Sequence, residues 1–230
     1  MSERSHLSTR STPTPPPALS AKVRAAIAAE PAPSGTRMLP RLLVSALAAA
    51  IGSAIFGFRT RGDLASLPMG DLIGTLAALL MLAFAGWMLA TYPGRRGLGT
   101  SIVVLWGVVL SLAPIYGAVV MAAPIHAPGA SWPAEATSTI VSHAIPCAVA
   151  SLVVACIALS GMLFALRRAV PVAPSLRGAA LGAAAGAWAG LALHLHCVHF
   201  DRPHLLLGHV LPVAIFTLLG ALIAPRVIKP

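Results

Sequence analysis

Residues 178–200 read GAALGAAAGAWAGLALHLHCVHF, and two patterns in this stretch decide the fold. Gly178, Gly182, Gly186 and Gly190 recur at every fourth position, with Ala179, Ala183 and Ala187 beside them. That period belongs to a helix, and a stripe of small residues lets a second helix approach to backbone contact. The run carries no charge and is long enough to cross a hydrocarbon core at 1.5 Å per residue. Its far end is different in kind: His194-Leu195-His196-Cys197-Val198-His199, followed by His204 and His209. Imidazole and thiol groups beside hydrocarbon are costly to keep, so a chemical role is the first hypothesis for them.

The rest of the chain has the same character. Of 230 residues, 57% are hydrophobic and 10% charged, with a mean hydropathy of +0.86. Soluble domains carry about a quarter charged residues, so this is the composition of a membrane protein. Six spans are predicted, near Leu42–Phe58, Leu72–Ala90, Ile102–Ala123, Ile140–Leu166, Gly178–Leu195 and Leu205–Ala224. The fold class is therefore an all-α membrane protein, a six-transmembrane-helix bundle with a short cytoplasmic N-terminal segment. Residues 1–40 form that segment, 41–226 the bundle and 227–230 a cytoplasmic tail.

The formal charge of +10 points first to nucleic acid, but the positions of the charges favour topology. Arg4, Arg10, Lys22, Arg24, Arg37, Arg41, Arg95, Arg96, Arg167, Arg168, Arg177, Arg226 and Lys229 fall on one side of the six spans. Arg59, Arg61 and Arg202 fall on the other. Thirteen against three places both termini in the cytoplasm, by the excess of Lys and Arg in cytoplasmic loops. No direct contact with nucleic acid is expected, and the basic groups suit anionic lipid.

The His/Cys cluster then faces outward. His143 and Cys147, four apart, share a face near the outer end of the fourth span. His126 lies in the outer loop before it, and only His6 is clearly cytoplasmic. Cys156, nine residues inward of Cys147, is expected to pack as a small apolar residue. Two chemistries fit the outer cluster. His143, Cys147, His194, His196, Cys197 and His199 supply soft donors for Zn or Cu. Alternatively Cys147 and Cys197 form a redox-sensing disulfide or thiol pair, as an oxidising compartment permits. The bland alternative is that the histidines cap helix ends and the cysteines fill gaps. Pro114, Pro146 and Pro212 fall within or near spans and are candidate kinks.

Several classes lose ground. No Asp, Glu, Lys or Arg lies deep in a span, unlike ion-coupled transporters. Nothing resembles a nucleotide loop, a nucleophile elbow or a zinc-protease helix, and the loops are too short for a soluble catalytic domain. The expectation is that the chain is not an enzyme. The extended soluble part is the N-terminus. Residues 1–18 are rich in Ser, Thr and Pro and should stay unfolded. Residues 19–30 read as a short helix ended by Pro31, with Leu19, Val23 and Ile27 in one apolar stripe. A helix that short is marginal in water and suits docking in a partner's groove.

In layout the chain resembles the NrsF-type multi-pass anti-sigma factors, and the carotenoid-control anti-sigma factor of myxobacteria is similar. The residues that carry the resemblance are Cys147 early in span four, then Ala169-Val170-Pro171-Val172-Ala173-Pro174. The glycine-rich span with Gly178, Gly182 and Gly186 follows, with His196-Cys197 at its end and Gly220-Ala221-Leu222-Ile223-Ala224-Pro225-Arg226 in the last span. The match is best over residues 140–226. The chain departs from that pattern in its ending, Arg226-Val227-Ile228-Lys229-Pro230, and in its extra histidines.

The resemblance implies a regulator in the bacterial inner membrane. Its N-terminal segment would hold an extracytoplasmic-function sigma factor, here through Leu19, Val23 and Ile27. Its outer cysteines, here Cys147 and Cys197, would respond to stress. The alternative function is a metal- or haem-handling membrane subunit, with His143 and His194 as a candidate axial pair. The glycine stripe leaves two partners open, another span or a second copy of the chain.

Overall fold

The computed structural model describes residues 21–22, 25, 38–57, 61–62, 64, 67–91, 100–122, 137–166, 173–199 and 201–228. The chain divides into a short N-terminal unit, Met1–Gly35, and a helical unit, Thr36–Pro230. In the first, Ala21, Lys22 and Ala25 are helical. Leu19, Val23 and Ile27, proposed from the sequence as the partner-binding stripe, lie outside the described residues, as do His6 and His126.

Among the described residues, six long helices build the second unit. They are α1 (Met38–Gly57), α2 (Met69–Thr91), α3 (Ile102–Ala122), α4 (Thr137–Leu166), α5 (Pro174–His194) and α6 (Arg202–Val227). The last begins with an α-helical turn at Arg202–Leu205, passes through a π-helical turn at Leu206–Val210 and continues as α-helix from Leu211 to Val227. Helices α2, α3, α4 (from Ser142), α5 and α6 are long and apolar enough to cross a membrane. No strand occurs among the described residues.

The least hydropathic of these five helices is the one most enclosed. In α5, 83% of the spanning window is buried, against 28% in α2 and α3. Helix α5 sits at the centre and touches all five others, with α6 its closest companion and α1 packed chiefly on α4. Without a hydrophobic force between helices in lipid, association rests on close packing, which Gly and Ala permit and Leu does not. The large side chains go outward instead: Leu47 on α1, Met81 on α2, Leu110 on α3 and Leu218 on α6 are all exposed. Cys156 is exposed too, on the outer surface of α4, so the expected packing role is not what the structure shows.

The stripe on α5 meets the backbone of α6. A Cβ built on Gly178 would overlap the Gly220 carbonyl oxygen, and one on Gly182 the Phe216 carbonyl oxygen. At Gly186 it would lie 2.7 Å from Val213 Cα, and at Gly190 it would overlap the Tyr116 hydroxyl of α3. The stripe is thus filled from within the chain, and the face considered for a second copy is taken up by α6 and Tyr116. On another side of α5, the Trp188 indole N–H donates to Ala49 O and Ser53 Oγ of α1, both at 3.1 Å.

Candidate functional site

Three helix ends converge at one end of the bundle: the start of α4, the end of α5 with the turn after it, and the start of α6. Cys147 lies nearly three turns into α4, which is continuous through Pro146. Beyond α5 the chain turns at Leu195 and His196, and both His196 N–H and Cys197 N–H donate to the Leu193 carbonyl, at 2.9 and 2.7 Å. This tight turn brings the Cys197 thiol back toward the bundle, where it is buried. Asp201 caps α6, its Oδ1 accepting from His204 N–H at 2.8 Å, with Pro203 in the first turn.

Cys147 and Cys197, fifty residues apart in sequence, bring their sulfurs to 3.6 Å, and both are free thiols. Cys197 Sγ also lies 3.1 Å from His204 Nε2 and 3.5 Å from the His199 carbonyl oxygen. The hydrogen bond shared with Cys147, and burial after it, push the Cys197 thiol above the usual thiol range. The ligand atoms of Cys147, Cys197, His204 and His209 all lie within 4.8 Å of one another. His204 and His209 are fully buried.

Of the six donors singled out in the sequence, the structure brings Cys147 and Cys197 together and surrounds them with other imidazoles. His143 stacks on His199, with ring centroids 4.1 Å apart and planes at 15°. His199 lies beside His204, and His204 beside His209, each at 5.5 Å between centroids. His194 meets His209 edge-on at 6.5 Å. His143, His194 and His199 therefore flank the four-donor cluster, and His196 is half-buried in the turn outside it. Of the two histidines considered as an axial pair for a haem, His143 meets His199 and His194 meets His209.

His204 and His209 belong to the histidine-rich stretch seen in the sequence but not to the expected ligand set, and residues five apart do not share a face of an α-helix. The π turn changes that. Leu211 N–H bonds the Leu206 carbonyl, an i→i−5 bond that widens the turn between the two histidines. Two further residues of this end had no mark in the sequence. Ser151 Oγ donates to Gly208 O at 3.1 Å in a buried contact. Gly208 itself lies against α4, where an added Cβ would stand 3.3 Å from Cys147 Cβ and 3.4 Å from Ala144 O. The available clue was Pro212, four residues after Gly208. Lacking an N–H, it leaves the Gly208 carbonyl without its helical donor, and Ser151 supplies one.

Fold and site together define a class: among the described residues, a helical bundle with five helices long and apolar enough to cross a membrane, and a thiol–imidazole cluster closed into one end. The family described as NrsF, negative regulator of sigma F, matches residues 19–229, and the chain belongs to that family. Its name is that of a regulator of a sigma factor, not of a catalyst of a reaction. No curated protein and no solved structure matches the chain.

Proposed function

We propose that this protein is an inner-membrane anti-sigma factor that holds an extracytoplasmic-function sigma factor and releases it when Cys147 and Cys197 meet an oxidant or a metal. Family membership supports the regulation of a sigma factor. The observation that carries the sensor is the 3.6 Å approach of two thiols from separate helices at one end of the bundle. A small movement converts it into a disulfide, whose bond is about 2.05 Å. In that step two thiols lose two protons and two electrons to a two-electron oxidant such as a hydroperoxide, which becomes an alcohol and water.

The sided arrangement follows from the charges. In sequence, Arg95 and Arg96 fall between α2 and α3, and Arg167 and Arg168 between α4 and α5; an excess of Lys and Arg marks cytoplasmic connections, so Cys147 and Cys197 belong to the external side. Six spans put the N-terminus on the cytoplasmic side, where Leu19, Val23 and Ile27 pack on the sigma factor. A signal at the cluster must favour one of two bundle arrangements by several kcal/mol to free the partner.

The test uses the whole chain. Co-purification with the sigma factor encoded beside it is expected, and Leu19→Ser, Val23→Ser and Ile27→Ser together should abolish it. Absence of any sigma factor in the complex overturns the reading. Cys147→Ser and Cys197→Ser should each change induction of the target genes by the stress; an unchanged response removes the thiols from the sensor.

A second reading, a metal-handling membrane subunit, is favoured by the four-donor cluster. It predicts stoichiometric metal and no sigma partner.

A further inference from the structure

We propose that Cys147, Cys197, His204 and His209 are the ligands of a single d10 cation of zinc's kind, held in a closed tetrahedral site that the π turn of α6 creates. This deepens the reading of the two thiols as a sensor, but it does not depend on a sigma partner.

The donor geometry fits. Zinc bonds sulfur at about 2.3 Å and imidazole nitrogen at about 2.0 Å, so donors on a tetrahedron stand roughly 3.3–3.8 Å apart. The sulfurs here are 3.6 Å apart, Cys197 Sγ is 3.1 Å from His204 Nε2, and every pair of donors is within 4.8 Å. A cation at the centre therefore requires shifts of only about 1 Å or less. The donors are two soft sulfurs and two imidazoles, with no carboxylate among them, which disfavours Mg2+ and Ca2+. Four donors suit Zn2+ better than Cu+, which is content with two or three.

The imidazoles are otherwise hard to explain. Among the described residues, His204 Nδ1 and both ring nitrogens of His209 make no hydrogen bond of ordinary geometry although both residues are fully buried, and the polar group that His209 faces is the Cys147 thiol. A buried polar group left unsatisfied is costly, and such groups in a folded protein call for an explanation. A cation drawing in His209 satisfies one nitrogen directly. The neighbours complete the shell: the His199 carbonyl on Cys197, and the His194 ring edge-on to His209.

The backbone is arranged for the same end. In an α-helix, residues five apart point about 140° from one another. The π turn at Leu206–Val210 brings His204 and His209 toward one face, and such turns often mark functional sites. Gly208, between them, leaves room for α4 and Cys147; an added Cβ would stand 3.6 Å from His204 Nε2. Pro212 and Ser151 hold the irregular turn open, as described above. Four separate sequence choices thus converge on one volume.

The experiment is a Co2+ titration of the full chain, reduced, stripped with a chelator and kept in detergent. One equivalent should bring up a sulfur-to-cobalt charge-transfer band and the visible bands of a tetrahedral site, both erased by Zn2+. His204→Gln and His209→Gln should each weaken Co2+ binding by about tenfold or more, on the scale at which even supporting residues of metal sites act. Cys156→Ser should leave the titration unchanged. His209→Cys should restore binding with a stronger charge-transfer band, which guards against a Gln variant that merely misfolds.

No bands at stoichiometric Co2+ would overturn the proposal. So would bands lost in Cys197→Ser but unchanged in both Gln variants, because the imidazoles would then not be ligands. The titration needs no sigma factor: a bound sigma factor without a cobalt spectrum sinks the metal site alone. A cobalt spectrum without any sigma factor sinks the regulatory reading and leaves the site standing.

Discussion

Helices α5 and α6 meet along their length in two different ways. Over Gly178, Gly182 and Gly186 the helix backbones touch, with carbonyl oxygens of α6 where side chains of α5 would otherwise be. Beyond α5, around Cys197, His204 and His209, α6 leaves α-helical geometry and the space between helices fills with polar groups. The first region has one arrangement available, because backbone cannot be repacked. The second is held by a serine hydroxyl, a proline's missing donor and thiol–imidazole contacts, and the last of these change with oxidation or metal binding. A bundle built this way has a fixed pivot at one end of its central helix pair and an adjustable joint at the other.

Substitution at the pivot gives the largest expected effect. Gly182→Val places a Cβ and two methyl groups against the Phe216 backbone and should destabilise the bundle by about 3 kcal/mol, the upper range for overpacking. Thermal unfolding in detergent, followed by loss of the monodisperse species, checks it. Gly208→Ala at the joint meets Cys147 Cβ at 3.3 Å, which a few tenths of an ångström relieve, and should cost about 1 kcal/mol at most. Equal destabilisation by the two would erase the distinction between pivot and joint.

The pivot was legible in the sequence and the joint was not. The glycine spacing of 178, 182, 186 and 190 shows in the primary structure because an α-helix repeats on that period. It left the stripe's partner open, since partner choice depends on where α6 and Tyr116 come to rest. Five of the six expected spans appear as helices long and apolar enough to cross a membrane, and the sixth region is the helix α1. At the joint, the period itself fails. His204 and His209 stand five apart, which α-helical steps assign to different faces, and the expected ligand set of His143, Cys147, His194, His196, Cys197 and His199 does not include them. Composition marked the end of the bundle as chemical; only the π turn shows which imidazoles approach the sulfurs.

The link from α5 to α1 offers an intermediate effect. Trp188→Phe removes the N–H that bonds Ala49 O and Ser53 Oγ while keeping most of the ring's bulk. Polar contacts between membrane helices average about 0.6 kcal/mol and reach about 1.7, so a loss near 1 kcal/mol is expected in the same unfolding assay. The effect should not alter Co2+ affinity or thiol reactivity, because α1 touches the central helix away from the joint. Trp188→Phe that changed thiol oxidation would show the pivot and joint to be coupled through α5.

The smallest expected change in stability, that of a double variant, is the most informative about the joint. Ser151→Ala removes the donor to the Gly208 carbonyl and should cost about 1 kcal/mol, the net worth of one hydrogen bond. Pro212→Ala acts in the opposite sense: it restores a backbone N–H that can reach the same carbonyl and invites the π turn to wind back into α-helix. The pair should therefore be strongly non-additive, with the double variant Ser151→Ala/Pro212→Ala close to the parent in stability. Its site should nonetheless be impaired, because an α-helical turn carries His204 and His209 apart and lengthens the path from Cys197 to His204. Unfolding gives the stability cycle, and diamide-driven Cys147–Cys197 crosslinking, read by mass spectrometry, gives the state of the site. Additive effects on stability would mean that the proline and the serine do not share the Gly208 carbonyl. A double variant that is stable yet crosslinks as the parent does would mean that the thiols are positioned without help from the turn.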